Sequence, residues 1–299
     1  MGEVRSKRSK PTGYSFEFMI LKLLKSRPRT VLTPPAVPVV PPGMLIWAIG
    51  DVHGRLDLLK PLVEAILIDA SETPADRKMV IFLGDYVDRG PDSRGVLQYL
   101  VDLTSFSGIE WRFLKGNHEE AMLNFLVDPT TGGRWCEYGG DATLLSYGLR
   151  PPNLRHRAEG WARVSADLHH KMTASEREFL ENLELSVSIG DYFFAHAGAR
   201  PGQPLDRQSQ RDLMWIRGSF LDSDVAFNKV VVHGHTPTPA VYVDQRRIGV
   251  DTKAYDSDML TALRLKGENR SVVQAILEDK IVHTRRQMLA EKTEAGAGR

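Results

Sequence analysis

The sequence predicts an α/β fold of the plain or mixed αββα kind, and three observations carry that prediction. Short β-rich apolar runs alternate with stretches of helical periodicity, each early run ends in a polar cluster, and the order strand, loop, helix occurs three times in succession. The expected strands are Met44–Ile49, Met79–Leu83 and Trp111–Leu114, followed by helices over Leu56–Ala70, Ser93–Leu103 and Glu119–Val127. A helical middle section is expected from Gly140 to Leu183. Further strands are expected at Ser186–Ile189, Tyr192–Ala195, Val230–Val232, Gly249–Val250, Thr261–Leu265 and Val272–Leu277.

Residues 1–43 differ from this core. They carry eight Lys or Arg against Glu3 and Glu17, and six prolines between Pro28 and Pro42. Such a segment favours extended, solvated chain, so a basic, Pro-rich, flexible N-terminal segment is expected. A short helix over Tyr14 to Lys25 with a basic face toward an anionic surface is the one structured alternative. The packed domain is expected over 44–282, and a polar, frayed tail over 283–299.

Composition sets the function classes. Hydrophobic residues make up 42% and charged residues 26% of 299, which is ordinary for a globular domain with a sizeable core. A net charge of +1 advertises neither nucleic acid nor a membrane as partner. No stretch approaches the roughly 20 apolar residues needed to span a bilayer, so no transmembrane segment is expected. The single cysteine, Cys136, excludes an internal disulfide framework and a multi-thiolate zinc site. It is consistent with a reducing cytoplasm, the expected location.

The chemistry lies in the strand-end clusters, where open α/β sheets bind ligands. In order they are Gly50-Asp51-Val52-His53-Gly54-Arg55, Gly84-Asp85-Tyr86-Val87-Asp88-Arg89-Gly90, Lys115-Gly116-Asn117-His118-Glu119, His196-Ala197-Gly198 and His233-Gly234-His235-Thr236. One Gly-Asp after a strand is usually a turn, and one strand-end histidine is usually hydrogen-bonded structure. Five in succession are different, because gathering so many ionisable groups without metal is costly. Carboxylate, imidazole and amide oxygen without thiolate suit manganese, iron or zinc. A carboxylate can bridge two such ions, as two-metal hydrolysis requires.

GDVHG, GDYVDRG, GNHE, HAG and HGHT resemble the ordered motifs of the PPP-type metallophosphoesterases, in particular bacterial and bacteriophage lambda-like serine/threonine protein phosphatases. The resemblance covers roughly Met44 to Leu277. It implies a sandwich of two mixed β-sheets flanked by helices, and a phosphomonoesterase that attacks phosphate esters with a hydroxide bridging two divalent ions. Manganese is the first choice of ion, with iron or zinc as alternatives. By the same resemblance Asp51, His53 and a bridging Asp85 hold one ion, and Asp85, Asn117, His196 and His235 hold the other. His118 matches the general acid and Asp88 the carboxylate that orients it. Arg89 and Arg217, with Asn117, match phosphate-binding residues.

Some positions depart from the pattern. Pro237 stands where the broader superfamily often has a second histidine, and Lys115 stands where arginine is usual. The eukaryotic Ser-Ala-Pro-Asn-Tyr motif is replaced by Gly249-Val250-Asp251-Thr252-Lys253-Ala254. His156, His169, His170 and His283 lie outside the clusters and are expected to have a surface or structural role, and Arg134 to Gly140 are expected to help wall a substrate groove. The expected substrate is a phosphorylated protein or small phosphoester. The alternatives are dinucleoside polyphosphate hydrolysis within the same superfamily and a catalytically idle binding protein. An idle protein usually loses a ligand or the acid, and neither is missing here.

Overall fold

Met44–Ile49 is a run of six residues with no polar alternation, and as strand β1 all six are buried. That pattern belongs to a strand covered on both faces. Leu45, Trp47 and Ile49 face a core made with helices, while Met44, Ile46 and Ala48 face a second core between sheets. The computed structural model describes residues 1–2, 33–153 and 157–289. The expected helix over Tyr14–Lys25, residues 3–32 of the expected N-terminal segment and His156 lie outside the described residues.

After β1 come α1 (Leu56–Glu72), β2 (Arg77–Phe82), α2 (Ser93–Leu103), β3 (Glu110–Phe113) and α3 (Asn117–Val127). The chain then makes α4 (Gly132–Glu137), α5 (Gly140–Ser146), α6 (Arg157–Lys171) and α7 (Ala174–Glu181). Strands β4 (Ser186–Ile189) and β5 (Tyr192–Ala195) precede short helices α8 (Gln210–Trp215) and α9 (Gly218–Leu221). The rest is β6 (Val230–His233), β7 (Tyr242–Val243), β8 (Arg247–Gly249), α10 (Ala254–Ser257), β9 (Met259–Lys266), β10 (Asn269–Glu278) and β11 (Ile281–Met288).

Two mixed sheets result. One runs β11-β10-β9-β1-β2-β3 and the other β4-β5-β6-β8-β7. β1, β2 and β3 are parallel, as are β5, β6 and β8, while β9, β10 and β11 form an antiparallel meander beside β1. Ile46, Ile81 and Leu83 from the first sheet meet Phe194, Val232 and Ile248 from the second. The outer face of the second sheet, Phe193, Ala195 and Val231, packs on Leu213, Ile216 and Phe220 near α8 and α9. The layers are therefore helix, sheet, sheet, helix, as expected from the sequence.

Two boundaries differ from the sequence reading. Packing starts before Met44, because Val39 N–H donates to Asp191 Oδ2 at 3.0 Å and Val40 is buried. At the other end, residues 283–288 of the tail expected to fray complete β11, which pairs with β10 over eight residues, while 290–299 of that tail lie outside the described residues. Its sequence, Ile-Val-His-Thr-Arg-Arg-Gln-Met, is polar because almost all of it is exposed. Backbone pairing with β10, helped by Val282 against the core and by Arg285 and Arg286 bonded to Gln274 and Asp69, makes it a strand.

Asp69 ties helix α1 to three strands of the first sheet, β1, β9 and β11. Its carboxylate, near the end of α1, accepts from Trp47 Nε1 at 3.1 Å, Thr73 Oγ1 at 3.0 Å, Arg286 at 2.9 Å and the buried Arg264. Asp69→Ala leaves Arg264 without its main counter-charge. We expect a loss of about 3 kcal/mol, read as a lower urea midpoint at unchanged slope. Burial works to raise the Asp69 carboxyl pKa, but the hydrogen bond and charge of Arg264 outweigh it and hold the carboxyl below its ordinary value. Its contribution is therefore complete above about pH 4 and is lost as acid passes the lowered folded pKa, so the gap between wild type and variant narrows there.

Candidate active site

The loop after β2 is built on backbone that most side chains avoid. Asp85, Asp88 and Arg89 have φ of 53°, 72° and 69°, and His53 and His235 in neighbouring loops have 45° and 63°. Left-handed backbone at non-glycine residues costs of order 1–3 kcal/mol each, so surrounding bonds must enforce it. They are present. Asp85 C=O accepts from Val52 N–H at 3.0 Å and His53 N–H at 2.9 Å, which joins the first two loops. Glu119, fully buried in the first turn of α3, accepts from the N–H groups of Asp85 (2.9 Å), Tyr86 (2.7 Å), Val87 (3.3 Å) and Gly116 (2.9 Å). Gly116 must lack a side chain, since a Cβ there would lie 2.1 Å from Asp85 Oδ1.

Two candidate cation groups share Asp85. One gathers Asp85, His196 and His235, the other His53, Asp85 and His118, with ligand atoms inside 4.8 Å of one another. Asp85 offers one oxygen to each side: Oδ1 is 3.3 Å from His196 Nε2 and Oδ2 is 3.6 Å from His53 Nε2. Asn117 Oδ1 and His235 Nδ1 lie 3.0 and 3.2 Å from His196 Nε2. Asp51 sits at the edge of this cluster. Both its oxygens accept from His235 N–H, at 3.1 and 3.0 Å, and in the second group His118 takes the place the sequence assigns to Asp51. Burial, Asp251 and Asp85 together raise the Asp51 carboxyl well above its ordinary range. The remaining expected residues divide: Asp88 and Arg89 are brought into the cluster, whereas Arg217 is exposed beside it, near enough for its charge to act on His235.

The donor set fits cations. His196 Nδ1–H donates to Leu83 C=O at 2.9 Å and His53 Nδ1–H to Val87 C=O at 2.8 Å, which leaves each Nε2 as a lone pair aimed inward. Around His196 Nε2 then lie a carboxylate oxygen, an amide oxygen and an imidazole nitrogen, a convergence of lone pairs that a positive charge relieves. His235 Nε2 is buried without a partner among the described residues. Burial lowers the His235 pKa to about 2, keeping the ring neutral as a metal ligand must be. Burial works to raise the Asp85 pKa, but the neighbouring His196 and His118 rings outweigh it and hold the carboxyl well below the usual range.

Beside this cluster His118 Nδ1–H donates to Asp88 Oδ2 at 2.6 Å. Asp88 is fully buried and also accepts from Trp135 Nε1 at 2.9 Å and Thr143 Oγ1 at 2.7 Å. The segment expected to wall a groove, Arg134–Gly140, thus seats Asp88. Burial works to lower the His118 pKa, but the Asp85 charge and the Asp88 hydrogen bond raise it overall. Arg89 donates to His53 Nε2 and His118 Nε2, both at 3.1 Å.

Residues 44–268 match the calcineurin-like phosphoesterase family. The chain belongs to that family. The protein is thus a metallophosphoesterase, a hydrolase of a family that uses divalent metals. An asymmetrical bis(5'-nucleosyl)-tetraphosphatase PrpE of Oceanobacillus iheyensis is 24% identical over 239 residues, covering 74% of this chain and 88% of the relative. Serine/threonine-protein phosphatase 2 of Escherichia coli is 33% identical over 96 residues, which is 32% of this chain and 38% of that protein. A mutant of a cold-active protein tyrosine phosphatase shares the fold, with a TM-score of 0.50 at 18% identity over 87% of this chain and 88% of that one.

The sequence reading gave this metallophosphoesterase no role for Glu119 or Asp251. Asp251, 4% exposed, lies beside Asp51 and accepts from Lys253 N–H at 2.8 Å. The only sequence signal for either was a carboxylate next to a motif already in use. Glu119→Gln turns an amide N–H2 against two of the four N–H donors, whichever oxygen it replaces, and we expect a loss of Mn2+ affinity of about 10- to 100-fold in calorimetric titration, with the far-UV spectrum retained. Asp85→Asn should lose more than Glu119→Gln, since it removes the shared donor itself. Wild-type affinity in Asp85→Asn would sink this assignment of the cation groups.

Proposed function

We propose that this metallophosphoesterase is a phosphomonoesterase of the protein-phosphatase kind, acting on phosphorylated protein side chains or small phosphoesters. One observation carries the reading: the buried His118–Asp88 pair at 2.6 Å, set beside Arg89. A serine or threonine alkoxide is a strong base and leaves only as it receives a proton, whereas the phosphate leaving group of a polyphosphate needs that help far less. A buried imidazole whose pKa is raised serves the first kind of substrate best.

In the proposed reaction Arg89 grips phosphoryl oxygens with its planar fork, and Arg217 and the Asn117 amide complete the phosphate contacts. Asp88 accepts from His118 Nδ1–H and favours the imidazolium, and once Arg89 has turned its N–H groups from the imidazoles to the phosphate, the second proton on Nε2 is the transferable one facing the leaving oxygen. His118 passes that proton across and the alcohol departs neutral. A pair of divalent cations, held by Asp51, His53 and Asp85 and by Asp85, Asn117, His196 and His235, would supply an acidified water and neutralise phosphoryl charge. We propose manganese for them, with iron or zinc as alternatives for the same oxygen and nitrogen donors. No side chain is asked to become phosphorylated. The single cysteine accords with action in the cytoplasm.

A second reading, dinucleoside polyphosphate hydrolysis, is favoured by the PrpE relative, whose alignment covers 74% of this chain. Parallel assays on phosphoserine, phosphothreonine and phosphotyrosine peptides and on diadenosine tetraphosphate, with metals restored singly after chelation, separate the two. We expect phosphopeptides to give the higher kcat/KM, and manganese to restore the rate. His118→Asn should cost about 10²–10⁴-fold in kcat on phosphoserine, and much less on an aryl phosphate whose leaving group is already acidic. Faster turnover of the dinucleotide than of every peptide would pass the assignment to the second reading.

A further inference from the structure

We infer that Tyr255 is a positioning residue for the phosphate-gripping guanidinium of Arg89. The inference deepens the phosphoesterase reading and rests on Arg89 serving phosphate there. Arg89 Cζ lies 4.7 Å from the centre of the Tyr255 ring. The same ring meets His53 edge-on, with centres 5.2 Å apart and planes at 90°. Arg89 is thus bounded on several sides. His53 and His118 take its N–H groups, Tyr255 lies against its face, and Gly139 closes the rear. There Arg89 N–H donates to Gly139 C=O at 3.0 Å, and a Cβ on Gly139 (φ +104°) would come 2.7 Å from Arg89 Cγ.

The physical reason lies in the arginine. A long, half-buried side chain has much rotamer freedom, and a two-pronged grip on phosphate works only when the guanidinium plane is set beforehand. An aromatic face restrains that plane and attracts its charge. A phosphoryl group can take over the two N–H bonds now given to the imidazoles while the ring contact persists.

The ring is itself held from the first loop. Tyr255 rides on α10, a four-residue turn flanked by left-handed Lys253 (φ 62°) and Asp258 (φ 55°). Arg55 Nη1 donates to Ala254 C=O at 2.6 Å and to Asp258 Oδ1 at 2.7 Å, while its other nitrogens grip Asp57 at 2.9 and 2.7 Å. Arg55 follows His53 by two residues. One loop therefore supplies a candidate cation ligand and the latch for the ring above the phosphate clamp.

The test uses the full chain loaded with manganese, as wild type, Tyr255→Phe, Tyr255→Leu, Arg89→Ala and the Leu/Ala double variant. Inorganic phosphate is titrated calorimetrically, metal content is measured, and KM and kcat are taken on 4-nitrophenyl phosphate. We expect Tyr255→Leu to weaken phosphate binding and raise KM about tenfold, with metal content unchanged and kcat little altered. Tyr255→Phe, which keeps the ring face, should stay within about twofold of wild type. In the Arg89→Ala background the leucine should add almost nothing, because the ring acts through Arg89. Unchanged phosphate affinity in Tyr255→Leu overturns the proposal, as does an equal loss in Tyr255→Phe or a full leucine effect without Arg89. A wild type that releases no phosphate yet shows this binding pattern supports the positioning role and sinks the hydrolytic reading instead.

Discussion

The Glu119 carboxylate is the fastening on which the site depends. It sits at the start of α3 yet spends its oxygens mainly on the loop after β2, accepting from three successive N–H groups there and from Gly116 in its own turn. That loop in turn serves its neighbours. Its carbonyls receive the Nδ1–H of His53 and of His196, and Asp85 C=O receives the N–H groups of the first loop. A buried backbone amide left without an acceptor costs about 1–3 kcal/mol, so this arrangement is stiff once formed. Burial and the Asp85 charge push the Glu119 pKa up to about 7, so the fastening itself borders on neutral in the charge field it organises.

The fold's layering places that fastening. β1, β2 and β3 are parallel and release their loops at one end of the first sheet, and β5 and β6 release theirs from the second sheet. Because the sheets stack through Ile46, Ile81, Phe194 and Val232, the two sets of loops converge on one small volume. No single element holds enough donors for two cations. Asp85 alone reaches toward both groups.

Much of this was legible in the sequence because strand-end Gly-Asp and Gly-His pairs mark places where backbone must turn sharply and polar atoms must gather. Asp85, Asn117, His118, His196 and His235 were readable for that reason, and the helix-sheet-sheet-helix layering followed from the alternation of elements. Other parts left no such mark. Glu119 works on amides about thirty residues back in the chain, a link that no local spacing encodes. Strand β11 has no apolar alternation, since pairing with β10 over its whole length, more than burial, fixes it. Asp51 turns toward His235 N–H, far along the chain, which no local spacing encodes. Nothing local to Trp135 marked its indole N–H as the anchor of Asp88.

The positive φ angles at His53, Asp85, Asp88, Arg89 and His235 have a consequence for how this enzyme can change. Glycine would relax the backbone at each of them, yet at each it would delete a side chain that the candidate site gathers. Selection for thermal resistance and selection for turnover therefore pull in opposite directions at the same five residues. A lineage freed from catalysis should drift toward glycine or asparagine there first, leaving a sturdier shell around a silent pocket.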